Sequence, residues 1–504
     1  MQEIAIRKLY LIVFLTGAIV MILELIGSRI LAPKLGTSIF IWTSLIGIIL
    51  GAMSLGYYIG GKLADRSPNL KTFSTLIFIA GLFTFFIIII KDVILETSLL
   101  FGMKVGAIFA TSILFIIPGI LLGSISPYAV RLAMKKVENS GNTVGNLYAV
   151  STFGSIFGTF LAGFYLIPNF GSTNILYGLS FILMLLSLFV YRNKKRIIQT
   201  SFGLFFLFGF SLISFGMVEN NYIIDKDSEY NHIQVYDMEN NKGEGIRIMA
   251  VENFADSGMF LDSDELVFEY SKYYQLDNYF AKNEIKKVVM FGGAAYSVPK
   301  NFLKKNKTAT IDVVEIDPET TKIAEKYFRL DVKNERLNIF HQDARMFLNE
   351  SQRNGQKYDA VYGDAFSSQC SLPFHLTTKE AIKNIYDILD NDGIYIVNII
   401  SSFSGVKSEF FRSEYKTIKE KFKNVFVFPL QSKQENEFKI TQNIIIVATK
   451  SDVDIENMIK INKDGEITKL FEKLWRGEIQ IDDVNILTDD FAPVNYFALK
   501  SCDY

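Results

Sequence analysis

The feature that most constrains this chain is a set of seven apolar runs in its first 220 residues, at 9–31, 39–61, 73–90, 105–123, 144–167, 175–191 and 202–218. Runs of about 20 apolar residues match the thickness of a bilayer core, and a backbone surrounded by lipid must satisfy its own hydrogen bonds. Each run is therefore expected to be a spanning helix. The 49% hydrophobic content of the 504 residues is unevenly shared, so residues 1–220 read as a transmembrane helical domain and the remainder as soluble. The first run passes into the second without a small-residue cleavage site, which argues against a removed signal peptide.

Two details of the membrane half carry possible chemistry. Glu24 and Arg29 are ionisable residues inside a span, where charge is costly and marks either a polar site in the bundle or a buried structural pair. Gly60-Gly61-Lys62-Leu63-Ala64-Asp65-Arg66, after the second run, resembles the G-x-L-A-D-R loop of major-facilitator transporters. The glycines between 145 and 163 allow close helix packing, which transporters and inert anchors both use.

The soluble half is organised around residues 288–317. Residues 288–291 form a short apolar run suited to a strand buried on both faces, ended by Gly292 and Gly293. Glycines there permit a sharp turn and close approach to a ligand, and a helix starting near Ser297 points its positive end into the same space. The next strand, 312–316, carries Glu315 at its C-terminal edge, where a carboxylate accepts both ribose hydroxyls of a nucleoside. Strands at 337–340 and 358–362 follow, ending on Asp343 and Asp364. Ligands of open α/β sheets sit outside the C-terminal strand ends, so Glu315, Asp343 and Asp364 are expected to converge on one crevice. The alternative is that such acids cap the following helices, as Asp317 before Pro318 is expected to do.

Alternating residues at 232–236 and 245–251 predict a β-hairpin, and Ser263 or Asp264 is expected to cap a helix that opens over 263–270 and leads through aromatic residues to the first strand of the large sheet. A fifth strand is expected at 393–400, with 425–429 and 443–448 as a closing pair, the second antiparallel. The fold class that results is multi-domain. It has an N-terminal α-helical transmembrane bundle of about seven spans, then an α/β Rossmann-like transferase domain of the S-adenosylmethionine type with a small β-rich N-terminal subdomain. The expected boundaries are 1–220, 221–280 for a β-rich lid and connecting helix, 281–450 for the Rossmann-like domain, and 451–504 for a C-terminal extension.

Cys370 and Cys502 form neither a metal set nor a disulfide framework, and His232, His341 and His375 are too scattered to be a ligand cluster. Neither a metal nor nucleic acid is expected. The basic groups Arg7/Lys8, Lys62/Arg66/Lys71, Arg131/Lys135/Lys136 and Arg192/Lys194/Lys195/Arg196 fall at one end of the runs, which places the N-terminus in the cytoplasm. Seven crossings then carry the soluble half outside, whereas nucleoside cofactors are found inside, so either the last run lies in the interface or re-enters, or one span is miscounted, or the catalytic domain is extracytoplasmic. On that chemical ground the expectation is a multi-pass protein of the cell membrane with a cytoplasmic catalytic domain.

From about 228 to 448 the soluble half resembles the spermidine synthase (polyamine aminopropyltransferase) family, in its version fused to a membrane domain, here a major-facilitator-like one. Ser228-Glu229-Tyr230-Asn231-His232-Ile233-Gln234-Val235 is similar to the family's S-x-Y-Q-x-I-x-V, with Asn231 at a cofactor-contacting glutamine. Asp264-Glu265 matches its D-E, Val314-Glu315-Ile316-Asp317 its v-E-I-D, and Asp343-Ala344 the pair near the adenine. Tyr358 to Asp364 matches Y-D-x-I-x-x-D, whose last aspartate is catalytic. Ala365-Phe366, Leu372-Pro373, Leu376-Thr377 and Leu487-Thr488-Asp489-Asp490-Phe491-Ala492-Pro493 resemble motifs of the membrane-fused members.

Three positions depart from the pattern. Ala295 replaces the aspartate that meets the aminopropyl ammonium, Ser367 replaces an acid of the amine site, and Phe268-Glu269 replaces Tyr-His. The resemblance implies aminopropyl transfer from decarboxylated S-adenosylmethionine to an amine such as a polyamine, in a homodimer. Asp364 would be the catalytic residue; Gly292, Gly293, Asn231, Glu315, Asp343 and Ala344 would bind the co-substrate. Methyl transfer from S-adenosylmethionine, and a non-catalytic polyamine or nucleoside sensor or transporter, are the alternatives that the departures leave open.

Overall fold

A computed structural model of the chain describes residues 2–35, 39–134, 140–217, 222–252, 254–366, 372–431 and 438–501. Ser367, Cys370, Cys502, Lys135 and Lys136 lie outside them. The chain divides into two compact units, one of residues 1–221 and 226–232, the other of 222–225 and 233–503, with Tyr504 grouped with the first.

The first unit is helical: α1 (Gln2–Leu35), α2 (Ile39–Arg66), α3 (Leu70–Leu99), α4 (Gly102–Ala133), α5 (Ser140–Leu161), α6 (Ile167–Val190) and α7 (Lys194–Met217). A π-helical turn, Ala162–Leu166, joins α5 to α6. Among the described residues six helices are long and apolar enough to cross a membrane, not seven. The seventh run falls on α7 but ends on residues beyond the described ones. Gly60 to Arg66 are not a loop: α2 continues through them, because Gly60 packs directly on the Ser124 backbone and Asp65 pairs with Arg131 at 3.0 Å. A Cβ on Gly56 would stand 2.3 Å from the Ile120 carbonyl oxygen, and one on Gly154 2.1 Å from that of Phe14. Small residues thus set the α2–α4 and α1–α5 distances.

Arg29 reaches past Glu24 to a different partner. Its guanidinium donates to the carbonyl oxygens of Tyr230, at 2.5 Å, and Glu229, in the segment 226–232. The backbone N–H of Ser172 donates to Asp227 at 3.0 Å, and Asp227 also meets His232 Nδ1 at 2.7 Å. Positive φ at Gly171 breaks α6 just where Ser172 turns its N–H outward.

In the second part of the chain, β1 (Ile224–Asp227), β2 (His232–Glu239), β3 (Gly245–Val251) and β4 (Phe254–Phe260) form a four-stranded sheet in sequence order. The expected helix over 263–270 is absent. Arg329 draws that stretch sideways, donating to the carbonyls of Phe260, Leu261 and Ser263 and to Asp264, while Lys304 takes Glu265. The capping groups are thereby occupied, and winding starts only at a 3₁₀ turn, Tyr270–Leu276, followed by α8 (Asp277–Phe280).

The large sheet has the order β10-β11-β9-β8-β5-β6-β7. Its strands are β5 (Lys287–Phe291), β6 (Thr310–Val314), β7 (Leu337–Phe340), β8 (Tyr358–Gly363), β9 (Leu389–Ser402), β10 (Asn424–Pro429) and β11 (Thr441–Thr449). The helices α9 (Ser297–Lys305), α10 (Pro318–Tyr327), α11 (Ala344–Arg353), α12 (Lys379–Ile388) and α13 (Glu409–Lys419) connect them. After β11 come α14 (Ile455–Ile461), α15 (Gly465–Phe471) and α16 (Val494–Ser501). The five strands from β9 to the β7 edge are parallel, while β11 runs antiparallel to both β9 and β10. Strand β9 is longer than the expected 393–400. Along β5, Val288 and Met290 enter one apolar core and Val289 and Phe291 the other, so both faces are covered.

Candidate active site

The parallel strands end in a row that is extended by three backbone hydrogen bonds. Asp364 N donates to Phe291 O at 3.0 Å, Gly292 N to Val314 O at 2.9 Å, and Glu315 N to Phe340 O at 3.0 Å. Residues 364, 292 and 315 therefore stand side by side at the C-terminal edge of β8, β5 and β6. Gly292 has φ +91°, and a Cβ there would lie 2.4 Å from the Asp364 carbonyl oxygen. Only glycine fits that crossing.

The turn after Gly292 differs from an open glycine loop. Tyr296 adopts φ +56° and buries its ring completely beneath Gly293, with its hydroxyl 2.7 Å from Thr321 Oγ1. A Cβ on Gly293 would meet that ring at 2.7 Å. Ala295, beside it, is 0% exposed within the apolar core. Its side chain is turned away from solvent, so position 295 presents nothing to a ligand.

Glu315 is buried, and its carboxylate is engaged by this turn. Oε2 accepts from Gly293 N at 2.8 Å and Ala294 N at 3.1 Å, and Oε1 from Asp317 N at 3.0 Å. Burial nevertheless raises its pKa, against the lowering effect of those N–H donors. Asp317 caps α10 through Glu319 N. Asp343 caps α11, accepting from Arg345 N at 2.8 Å and Met346 N at 3.1 Å, and its other oxygen meets His375 Nε2 at 3.2 Å. The His375 hydrogen bond is the main reason its pKa falls. Ala344 is the first residue of that helix. The capping reading thus describes Asp317 and Asp343, while Glu315 shapes the turn.

Asp364 is arranged differently. It sits beyond β8, where burial pushes its carboxyl up to about 7 against hydrogen bonds from Asn398, Tyr274 and Tyr270. Asn398 Nδ2 donates to Oδ1 at 3.1 Å, whereas the Asn398 carbonyl oxygen is buried without a partner. The single Tyr274 hydroxyl proton is shared between Asp364 and Gly363 O, the latter at 2.9 Å. A carboxylate with a pKa near neutrality beside an unsatisfied acceptor can hold an ammonium and take one of its protons.

Sequence reasoning did not single out Tyr270, Tyr274, Asn398 or His375. The tyrosines fall in the stretch expected to finish a capped helix, and Asn398 lies inside a continuous apolar strand. His375 stands within the Leu372 to Thr377 motif, a signal that was available. Asn231 belongs to the 226–232 segment of the first unit, held by Ser228 Oγ at its N–H, 2.8 Å. The late motif around Asp489 is a clasp: Asp489 accepts from Arg345 at 2.8 Å and Thr378 at 2.6 Å.

Residues 277–444 match the Spermine/spermidine synthase domain. The chain is 24% identical over 220 residues to a polyamine aminopropyltransferase of Vibrio vulnificus, covering 42% of this chain and 69% of the relative. It is 23% identical over 447 residues to polyamine aminopropyltransferase 2 of Aquifex aeolicus, covering 84% of each. Among solved structures, a probable spermidine synthase of Corynebacterium glutamicum aligns with 53% of this chain and 96% of its own at 17% identity and a TM-score of 0.43.

Proposed function

Since the chain carries a spermine/spermidine synthase domain and has polyamine aminopropyltransferases as homologues, we propose that it is a membrane-anchored transferase moving an aminopropyl group from decarboxylated S-adenosylmethionine to an amine. The observation that carries this reading is Asp364, a carboxyl lifted to about 7 at the end of β8. Asp364 holds the acceptor amine as its ammonium, takes one proton, and frees the lone pair to attack. The donor's sulfonium supplies an electrophilic carbon and leaves as a neutral thioether with the electron pair of the broken C–S bond. One C–N bond forms, one C–S bond breaks, and the proton rests on Asp364 until solvent removes it. The unpartnered Asn398 oxygen steadies a second N–H of the amine, so that the nucleophile is aligned.

The remaining roles follow from position. Gly292 and Gly293 bring the backbone close to the nucleoside, Asp343 and Ala344 flank its base, and Glu315 supports the ribose. A carboxylate has about four lone-pair positions, and three of Glu315's are taken by backbone N–H groups. That leaves one for a hydroxyl, so its main work is to hold the turn. The assignment of Asn231 to the co-substrate rests on the motif alone.

A second reading, methyl transfer from S-adenosylmethionine, is favoured by Ala295. Its burial leaves the donor's aminopropyl ammonium without the acid that the resemblance implies there. Mass spectrometry of the purified chain with both donors and a mixture of amines tests the pair. Methylthioadenosine with a lengthened amine is expected; S-adenosylhomocysteine would establish the second reading. Donor binding with neither product would overturn both in favour of a sensor.

A further inference from the structure

Away from the strand-end crevice, a cavity of ≈ 260 Å³ opens between the Tyr270–Leu276 turn, α8, α9 and α15. Its buried wall is polar. Asp277, 1% exposed, accepts from the Tyr362 hydroxyl and from Asn278 N and Nδ2, at 2.6 and 2.9 Å, which leaves about one of its lone pairs open. Asn301, 2% exposed, lines the same space with an amide nitrogen that has no hydrogen-bond partner. A buried donor left unpaired is costly, so a cavity that retains one is fitted to an acceptor from outside. At the exposed rim stand Lys305 and Asp464, and Leu266, Val298, Phe302 and Ile467 supply an apolar side.

These groups define a ligand by complement. Asp277 calls for a cationic donor, and Asn301 Nδ2, together with Lys305 at the rim, whose ammonium also donates to Gln275 Oε1, for an anionic acceptor. The apolar side calls for a hydrocarbon or thioether tail. We propose that this cavity is a second binding site, for a small zwitterion of the α-amino-acid class with an aliphatic side chain: ammonium on Asp277, carboxylate on Asn301 and Lys305. The site lies next to the chemistry without sharing in it. Tyr274 and Tyr362 line the cavity with ring centroids 5.0 Å apart, and Tyr274 also bonds to Gly363 and Asp364. Occupation would therefore press on the wall that positions Asp364. Binding is independent of which group the enzyme transfers.

The test is calorimetry on the detergent-solubilised full-length chain with L-leucine, and with leucinamide and 4-methylpentanoate, which carry one charge each. One-to-one binding of L-leucine is expected, about tenfold tighter than either analogue. Asn301→Ala and Asp277→Asn should each weaken it about tenfold while leaving methylthioadenosine affinity unchanged. Asn301→Ala removes a group that makes no bond from its nitrogen, so its fold should be intact even where Asp277→Asn melts early. No heat with L-leucine at millimolar concentration, equal binding of a single-charge analogue, or indifference to Asn301→Ala would each overturn the proposal.

Discussion

Glu315 and Asp364 stand on either side of β5 in the same sheet, each the acid that follows a parallel strand, and they have opposite circumstances. Glu315 receives three backbone N–H groups that shape the glycine turn. Asp364 receives side chains only, from Asn398, Tyr274 and Tyr270, and burial leaves it near neutrality. Position after a strand therefore does not separate a structural acid from a chemical one. Burial raises both carboxyls; what separates them is whether the donors are fixed backbone groups that also hold a turn, or side chains around a carboxyl that is left beside an open acceptor.

The contrast breaks most sharply at Asp364. Asp364→Asn should lower kcat by about 10²–10⁴, or about 3–5 kcal/mol in barrier, with donor affinity preserved; unchanged turnover would remove Asp364 from the chemistry. Next in size, Glu315→Ala orphans the Gly293, Ala294 and Asp317 N–H groups and should cost about 2–3 kcal/mol of stability in thermal melts. Glu315→Gln keeps acceptor oxygen and should cost much less. Full stability with lost nucleoside affinity would instead make Glu315 a ribose ligand first.

The titration gives a third measurement. Asp364 acts as a base only when ionised, so kcat/KM should rise with pH through about 7. Because its folded pKa lies above the unfolded value, near 4, its contribution to stability is lost as pH climbs between about 4 and 7. Activity and stability should move in opposite directions across that window. Tyr274→Phe removes a hydrogen bond that lowers the Asp364 pKa, so the activity midpoint should shift upward, by about half a unit to one unit. The smallest effect is expected from His375→Ala: the His375–Asp343 pair is about a third exposed on each side, and its loss should cost under about 1 kcal/mol.

The strand ends were legible in the sequence because buried parallel strands read as short apolar runs, and glycine and acid after them are local signals. Asn398 was not, since one asparagine inside β9 looks like an interruption until the neighbouring strand brings Asp364 to it. The Tyr270–Leu276 turn was misread as the end of a capped helix for a similar reason. Arg329, 65 residues from Asp264, decides where that helix cannot begin. Tyr296 shows the same limit at the glycine turn, where a bulky residue at positive φ fills from below what a glycine-rich sequence would leave open. Contacts distant in sequence made each of these differences.

The grip of Arg29 and Ser172 on residues 226–232 bears on geography as well as on packing. The helices have two ends. At one, Lys8 lies over Phe189, Arg131 pairs with Asp65 and Arg196 meets Thr75; at the other, Lys34 pairs with Glu96, Lys91 meets Thr173, and Arg29 and Ser172 take hold of the segment. The chain thus departs from the helices at the end away from the cationic one. If charge bias sets the cationic end in the cytoplasm, the departing chain would emerge on the far side, contrary to the cytoplasmic expectation drawn from nucleoside supply. A reporter fused after Tyr504 reads the outcome directly. An outer signal would require the donor to be delivered across the membrane; an inner signal would mean that the helices are inserted against their own charge.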